Sequence, residues 1–158
     1  MKKGIGNILI WIGAGCLLLS SCDNRVIYDK YLTLEERNWD KEKEYFFLFQ
    51  IDDNTIPYDL TFEVRNNNLY PFQNLWVFIE EQQPSGEVKR DTLECMLADD
   101  FGKWLGDGMS VHELSFPLRT HYQFPDTGTY SISFRQGMRK EILPGIQQLG
   151  LRIETSNR

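Results

Sequence analysis

Apolar residues recur at every second position through most of this chain, and a period of two is the geometry of a strand with one face buried. In YFFLFQI, Tyr45, Phe47, Phe49 and Ile51 share one face. In YDLTFEVR, Tyr58, Leu60, Phe62 and Val64 alternate with Asp59, Thr61, Glu63 and Arg65. Tyr130, Ile132 and Phe134 alternate with serines and Arg135, and Leu149, Leu151 and Ile153 with Gly150, Arg152 and Glu154. LWVFIE, Leu75 to Glu80, is apolar on both faces and reads as a central strand with Trp76 in the core. Turn clusters separate these runs at Asp52-Asp53-Asn54, Asn66-Asn67-Asn68, Pro84-Ser85-Gly86 and Asp126-Thr127-Gly128. GEVKRDT after PSG begins a hairpin partner for the Leu75 strand, continuing through Leu93, Cys95 and Leu97. A single open sheet would leave an apolar face wet, so the pattern predicts an all-β, single-domain β-sandwich of about seven or eight antiparallel strands. Only Met138 to Leu143 is compatible with a helical turn.

The start of the chain follows a different rule. Met1-Lys2-Lys3 is positive, and ILIWIGAGCLLL from Ile8 to Leu19 is apolar. About a dozen residues are too few for the ~20 that cross a bilayer as a helix, and the arrangement is that of an export signal. Leu19-Ser20-Ser21-Cys22 resembles the lipobox of bacterial lipoproteins, in which the cysteine is acylated and becomes the new N-terminus. Cysteine usage agrees. Of three cysteines, Cys16 leaves with the signal, Cys22 is the anchor, and Cys95 remains alone in an alternating stretch, as a small buried hydrophobe. The expected organisation is a signal peptide over 1–21, a lipidated cysteine and charged tether over 22–44, and the sandwich over 45–158. Its compartment is the cell envelope, with the chain lipid-anchored to a bacterial membrane.

With Lys2 and Lys3 removed from 17 basic residues, 15 face 23 acidic ones, a net charge of −8. An acidic domain without a basic stripe argues against nucleic acid as a partner.

Catalytic signatures are sparse. His112-Glu113 lacks the second histidine of a zinc-binding HExxH helix, and the chain has no nucleophile elbow, phosphate-binding loop or CxxC. Both histidines, His112 and His121, are expected at the surface or rim. A hydrolase using Asp99 or Asp100 with His112 is the enzyme alternative, and the sequence favours a protein that is not an enzyme. The most unusual stretch is LADDFGKWLGDG, Leu97 to Gly108. Asp99, Asp100 and Asp107 offer hard oxygens suited to Ca²⁺, although their order is not that of an EF-hand. A rigid loop pinned by Trp104 explains the same residues without any cofactor. Two sandwich strands need a link of only a few residues, so this long one is the candidate interaction loop, with Asp99, Asp100, Lys103, Trp104 and Asp107 as its named residues. Trp39, Trp76, Trp104, Tyr70, Tyr122 and Phe72 raise a second reading, a surface glycan-binding lipoprotein.

One set of segments runs through the chain: Cys22 followed by VIYDKY, then Trp39, YFFLFQI, the R-N-x(3)-YP-x(2)-NLW segment from Arg65 to Trp76, the LAD-x(2)-GKWLG segment, Q-x-MR from Gln136 to Arg139, and the closing LGLRIE. In these segments the chain resembles the gliding-motility lipoprotein GldH family. The resemblance implies a lipoprotein of a Gram-negative envelope, partnered with other envelope motility or secretion proteins that move and export adhesins. It attaches no enzymatic activity, catalytic residue or cofactor to any position.

Overall fold

A computed structural model describes residues 25–156. Eight long strands and two short ones follow in order: β1 (Val26–Thr33), β2 (Asn38–Asp40), β3 (Tyr45–Ile51), β4 (Tyr58–Asn67), β5 (Asn74–Gln82), β6 (Val88–Met96), β7 (Val111–Tyr122), β8 (Gly128–Gln136), β9 (Ile142–Pro144) and β10 (Ile146–Thr155). They form two four-stranded antiparallel sheets, β1-β10-β4-β7 (sheet A) and β3-β8-β5-β6 (sheet C), with β2 paired to β9 apart from them. The all-β sandwich expected from the period-two pattern is the observed architecture.

The alternation explains the core directly. In β3 every second residue is buried, in the order Tyr45, Phe47, Phe49 and Ile51. Across the sandwich Phe62 of β4 meets Phe134 of β8 with ring centroids 4.5 Å apart, and Phe134 meets Phe47 at 5.5 Å. Farther along, Phe49 stacks on Tyr130 and Phe124 packs edge-on to both. Such pairs contribute about 0.5–1.5 kcal/mol each beyond the area they bury. Cys95 is fully buried, and burial pushes its thiol up to about 12, so it packs as a hydrophobe.

Three expectations are corrected. The stretch 22–44 is not a tether from Val26 onward: residues 26–33 are an edge strand of sheet A, paired with β10 from Val26↔Glu154 to Thr33↔Gln148. Leu34 and Trp39 are core residues, 2% and 0% exposed. Cys22 itself and the signal segment lie outside the described residues. An edge strand is covered on one side only, so β1 keeps charged residues and a bulge between Val26 and Tyr28, which hides its periodicity. Trp76 is the second correction. β5 is central in its sheet, but its outward face is uncovered, leaving Trp76 39% and Phe78 42% exposed. Trp76→Ala is therefore expected to change stability by about 1 kcal/mol or less, read as a nearly unchanged melting temperature. Third, Met138–Leu143 holds no helical turn. The segment wraps around the Gln136 side chain, whose amide donates to Lys140 O at 2.9 Å and whose Oε1 accepts from Met138 N at 2.9 Å.

The two outer faces differ in chemistry. Sheet A carries a polar lattice: Arg65 Nε donates to Glu113 Oε2 at 2.6 Å, Tyr31 Oη donates to Glu113 Oε1 at 3.1 Å, and the Arg65 guanidinium lies 4.0 Å from the Tyr31 ring centroid. The hydrogen bond from Arg65 holds the Glu113 carboxyl below the usual range. Sheet C instead exposes Phe46, Leu48, Trp76 and Phe78.

Strand direction sorts the connections between two ends. The chain enters at Val26 and leaves at Thr155 at one end, shared with links 52–57, 83–87 and 123–127. The links 34–44, 68–73, 97–110 and 137–145 gather at the other, hereafter the loop end.

Candidate functional site

The link 97–110 is fastened to the loop end along its length. Leu97 N and Ala98 N both donate to Gln73 O, at 2.7 and 3.0 Å, and Gln73 Nε2 donates to Asp99 O at 3.0 Å. The Asp99 side chain then closes a tight turn, its Oδ1 accepting from Phe101 N and Lys103 N, each at 2.9 Å. This is the local geometry that aspartate offers a turn. Leu105 N returns to Leu97 O at 2.9 Å, and Glu113 N to Asp107 O at 3.0 Å.

Trp104 holds the middle. Its ring stacks on His112 with centroids 5.4 Å apart and planes 21° from parallel, and His112 Nε2 bonds Asn68 Oδ1 at 2.8 Å. Of the two histidines expected at the surface or rim, His121 is exposed, whereas His112 is only 5% exposed. The alternating register of β7 turns it inward beneath Trp104. Gly108 makes the return to β7 possible: at φ +121° a Cβ there would lie 1.9 Å from Val111 O. Gly108→Ala is expected to cost about 2–4 kcal/mol, strain and overpacking together, seen as a lowered denaturation midpoint.

The five residues expected as an interaction loop divide into two groups. Asp99 and Trp104 build the loop, whereas Asp100, Lys103 and Asp107 are exposed on it. The three aspartates are not gathered around one point, and among the described residues no cluster of three His, Cys, Asp or Glu side chains could hold a metal ion. Of the hydrolase candidates, Asp99 and His112 both make contacts within the scaffold. His112 is engaged by Asn68 and Trp104, and Asp99 by backbone amides.

Sequence reasoning missed the side chains that this scaffold displays. Phe101 is 97% exposed, Met109 94%, Leu69 71% and Leu105 53%. The available signal was Phe101 between Asp100 and Gly102, a large apolar residue in a turn where no strand face could cover it. Beside them a shallow depression is lined by Phe72, Asn74, Trp76, Gly137, Met138 and Arg139. It is closed by Trp76 N donating to Met138 Sδ at 3.3 Å and Gly137 N to Trp76 O at 2.7 Å. The Arg65–Trp76, Leu97–Gly106 and Gln136–Arg139 segments, far apart in sequence, thus meet at one end of the sandwich. Large apolar side chains exposed at one end of a domain mark a surface that other molecules can cover.

The aromatic residues that suggested glycan binding do not form one platform. Trp39 and Tyr70 are core residues, Trp104 and Tyr122 are half-buried, and of the six only Trp76 and Phe72 are exposed.

Fold and surface together define a two-sheet β-sandwich that displays large apolar side chains at its loop end and on the outer face of sheet C. A family model described as GldH lipoprotein matches residues 26–153, all of this sandwich but the last two residues of β10. The gliding motility lipoprotein GldH homolog of Christiangramia forsetii is 37% identical over 149 residues, 89% of this chain and 91% of the relative. The gliding motility lipoprotein GldH of Flavobacterium johnsoniae is 33% identical over 146 residues, 87% and 90% of the two chains. The chain belongs to the GldH lipoprotein family. Neither relative's name is that of an enzyme. Among the described residues no helix is long and apolar enough to cross a membrane.

Proposed function

We propose that this protein is a lipid-anchored, non-catalytic component of an envelope assembly serving gliding motility and adhesin secretion, docking a protein partner through its loop end. Acylated Cys22 supplies the membrane attachment, and more than one acyl chain is needed for that hold to be stable. The observation that carries the docking reading is the pairing of a pinned backbone with bare side chains. Loop 97–110 is fixed by Asp99, Trp104 and Gly108, yet it presents Phe101 and Met109 almost fully to solvent. Leaving large apolar groups wet forgoes roughly 1.5–3 kcal/mol per side chain, which burial against a partner would recover. A rigid presenting loop also loses little entropy on binding.

Site-specific photocrosslinking in intact envelopes tests this. A crosslinker at Phe101 or Met109 is expected to capture a discrete protein, and one at Thr61 on the polar face of sheet A is expected to capture none. Equal labelling from both faces, or none from the loop, would refute the docking surface.

A further inference from the structure

Val26, four residues after the expected anchor Cys22, and the loop end lie at opposite ends of the sandwich. β1 starts at Val26 beside Glu154, and its other end, Thr33, lies beside Gln148 at the loop end. From Cys22 to Val26 is only four residue steps, which span at most ~14 Å when fully extended. β4 and β10 each have 10 residues. At about 3.3 Å per residue the loop end is therefore about 30 Å from the anchored end. A linker of that length cannot bring the loop end back to the bilayer that holds the lipid unless the sandwich tips over.

Charge opposes close adhesion at the anchored end. The links beside the anchor, 52–57, 83–87 and 123–127, contain Asp52, Asp53, Glu87 and Asp126 and no lysine or arginine. Such an end rests above anionic headgroups without being drawn into them. The loop end is of mixed charge, with Asp100 and Asp107 beside exposed Lys103, and with Lys41, Lys43, Arg139 and Lys140 in the neighbouring links. Its distance from the anchored end, rather than its charge, leaves a protein surface as the fitting occupant.

We propose that acylation at Cys22 stands the sandwich upright on its bilayer and aims Leu69, Phe101, Leu105 and Met109 at a protein partner in the aqueous phase, about one domain length from the membrane. The inference rests on the anchored-module reading and adds where its partner must be. Recruitment is then set by height: a partner confined to the headgroup layer of the same membrane does not reach the surface, whereas one standing about 30 Å clear of it does.

Quenching of a site-attached fluorophore tests the orientation. The acylated full chain is placed in nanodiscs containing a lipid with a headgroup-attached short-range quencher. Single labels are introduced by Ser85→Cys beside the anchor, Leu48→Cys on the outer face of sheet C and Met109→Cys at the loop end. Cys95 is fully buried with its thiol pushed up to about 12, so it stays unlabelled. Quenching is expected to be strongest at Ser85, intermediate at Leu48 and roughly fivefold or more weaker at Met109, given the separation of about 30 Å. Twelve glycine and serine residues inserted between Asn24 and Arg25 add a coil of about 20 Å and should flatten that gradient. Equal quenching at Met109 would overturn the proposal, and so would strongest quenching at Leu48, which places the aromatic face of sheet C on the bilayer. Cys22→Ser, prepared as residues 22–158 without the signal segment and its Cys16, separates the premises. Undiminished quenching at Ser85 in that variant means that the anchor reading has failed, whereas loss at every position leaves orientation as the tested quantity. Crosslinking from the loop is scored independently of both.

Discussion

Trp39→Ala is expected to lower stability by about 3–5 kcal/mol, the range for removing a large aromatic from a close-packed interior. Trp39 has no exposed surface, sits edge-on to Tyr45 with centroids 6.0 Å apart, and donates from its indole nitrogen to Lys43 O at 3.2 Å. Its backbone pairs with Leu143 in the small β2–β9 ladder, which covers the loop end of the core. Little in that corner can collapse into the space, because Leu34, Leu143 and Ile146 are already buried there. A domain of ordinary stability has about 5–15 kcal/mol in total, so the variant should melt some 10–20 °C lower or fail to accumulate. Far-UV circular dichroism melts of Trp39→Ala and Trp76→Ala, run side by side, make the comparison. If the two melt alike, the segment from Val26 to Glu44 does not belong to the cooperative fold.

Cys22→Ser should have the largest effect in the cell, through a different link in the chain of cause. The sandwich begins at Val26, beyond the cysteine, and keeps its core intact in the variant. What is lost is the attachment, which scales at about 0.8 kcal/mol per buried methylene and needs more than one acyl chain to be stable. The expected result is an unprocessed precursor and no signal-cleaved chain in the membrane fraction. Processing and fractionation identical to wild type would show that Cys22 is not the anchor.

Much of this architecture was legible in the chain, for a reason that also marks where legibility ends. A strand buried on one face writes its partner's position into every second residue, so β3, β4, β8 and β10 could be read directly from their aromatic and branched residues. β1 was not legible. Its stability comes from backbone bonds to β10 and from Tyr31 lying across Gly150 onto Arg65, contacts that leave little hydrophobic period. Trp76 and Phe78 misled for the opposite reason. Apolar residues on both faces of β5 resemble full burial, yet among the described residues nothing covers the outer face of sheet C. The length of the loop 97–110 and the pinning role of Trp104 could be inferred from sequence. The exposure of Phe101 and Met109 could not, because it depends on the turn that Asp99 closes and on the return at Gly108.

The account stands or falls on whether the loop end works by binding, and one complementation experiment addresses that directly. A chain carrying Phe101→Ser and Met109→Ser together replaces the wild type in a cell whose own copy is deleted. Envelope level, membrane fractionation and melting temperature are measured on the same protein. Both side chains make almost no contact with the fold, so those three readouts should match wild type, with stability changed by no more than about 0.5 kcal/mol per site. The account predicts that this folded, anchored chain fails to restore the deletion phenotype. Full restoration by a chain lacking both side chains would contradict it.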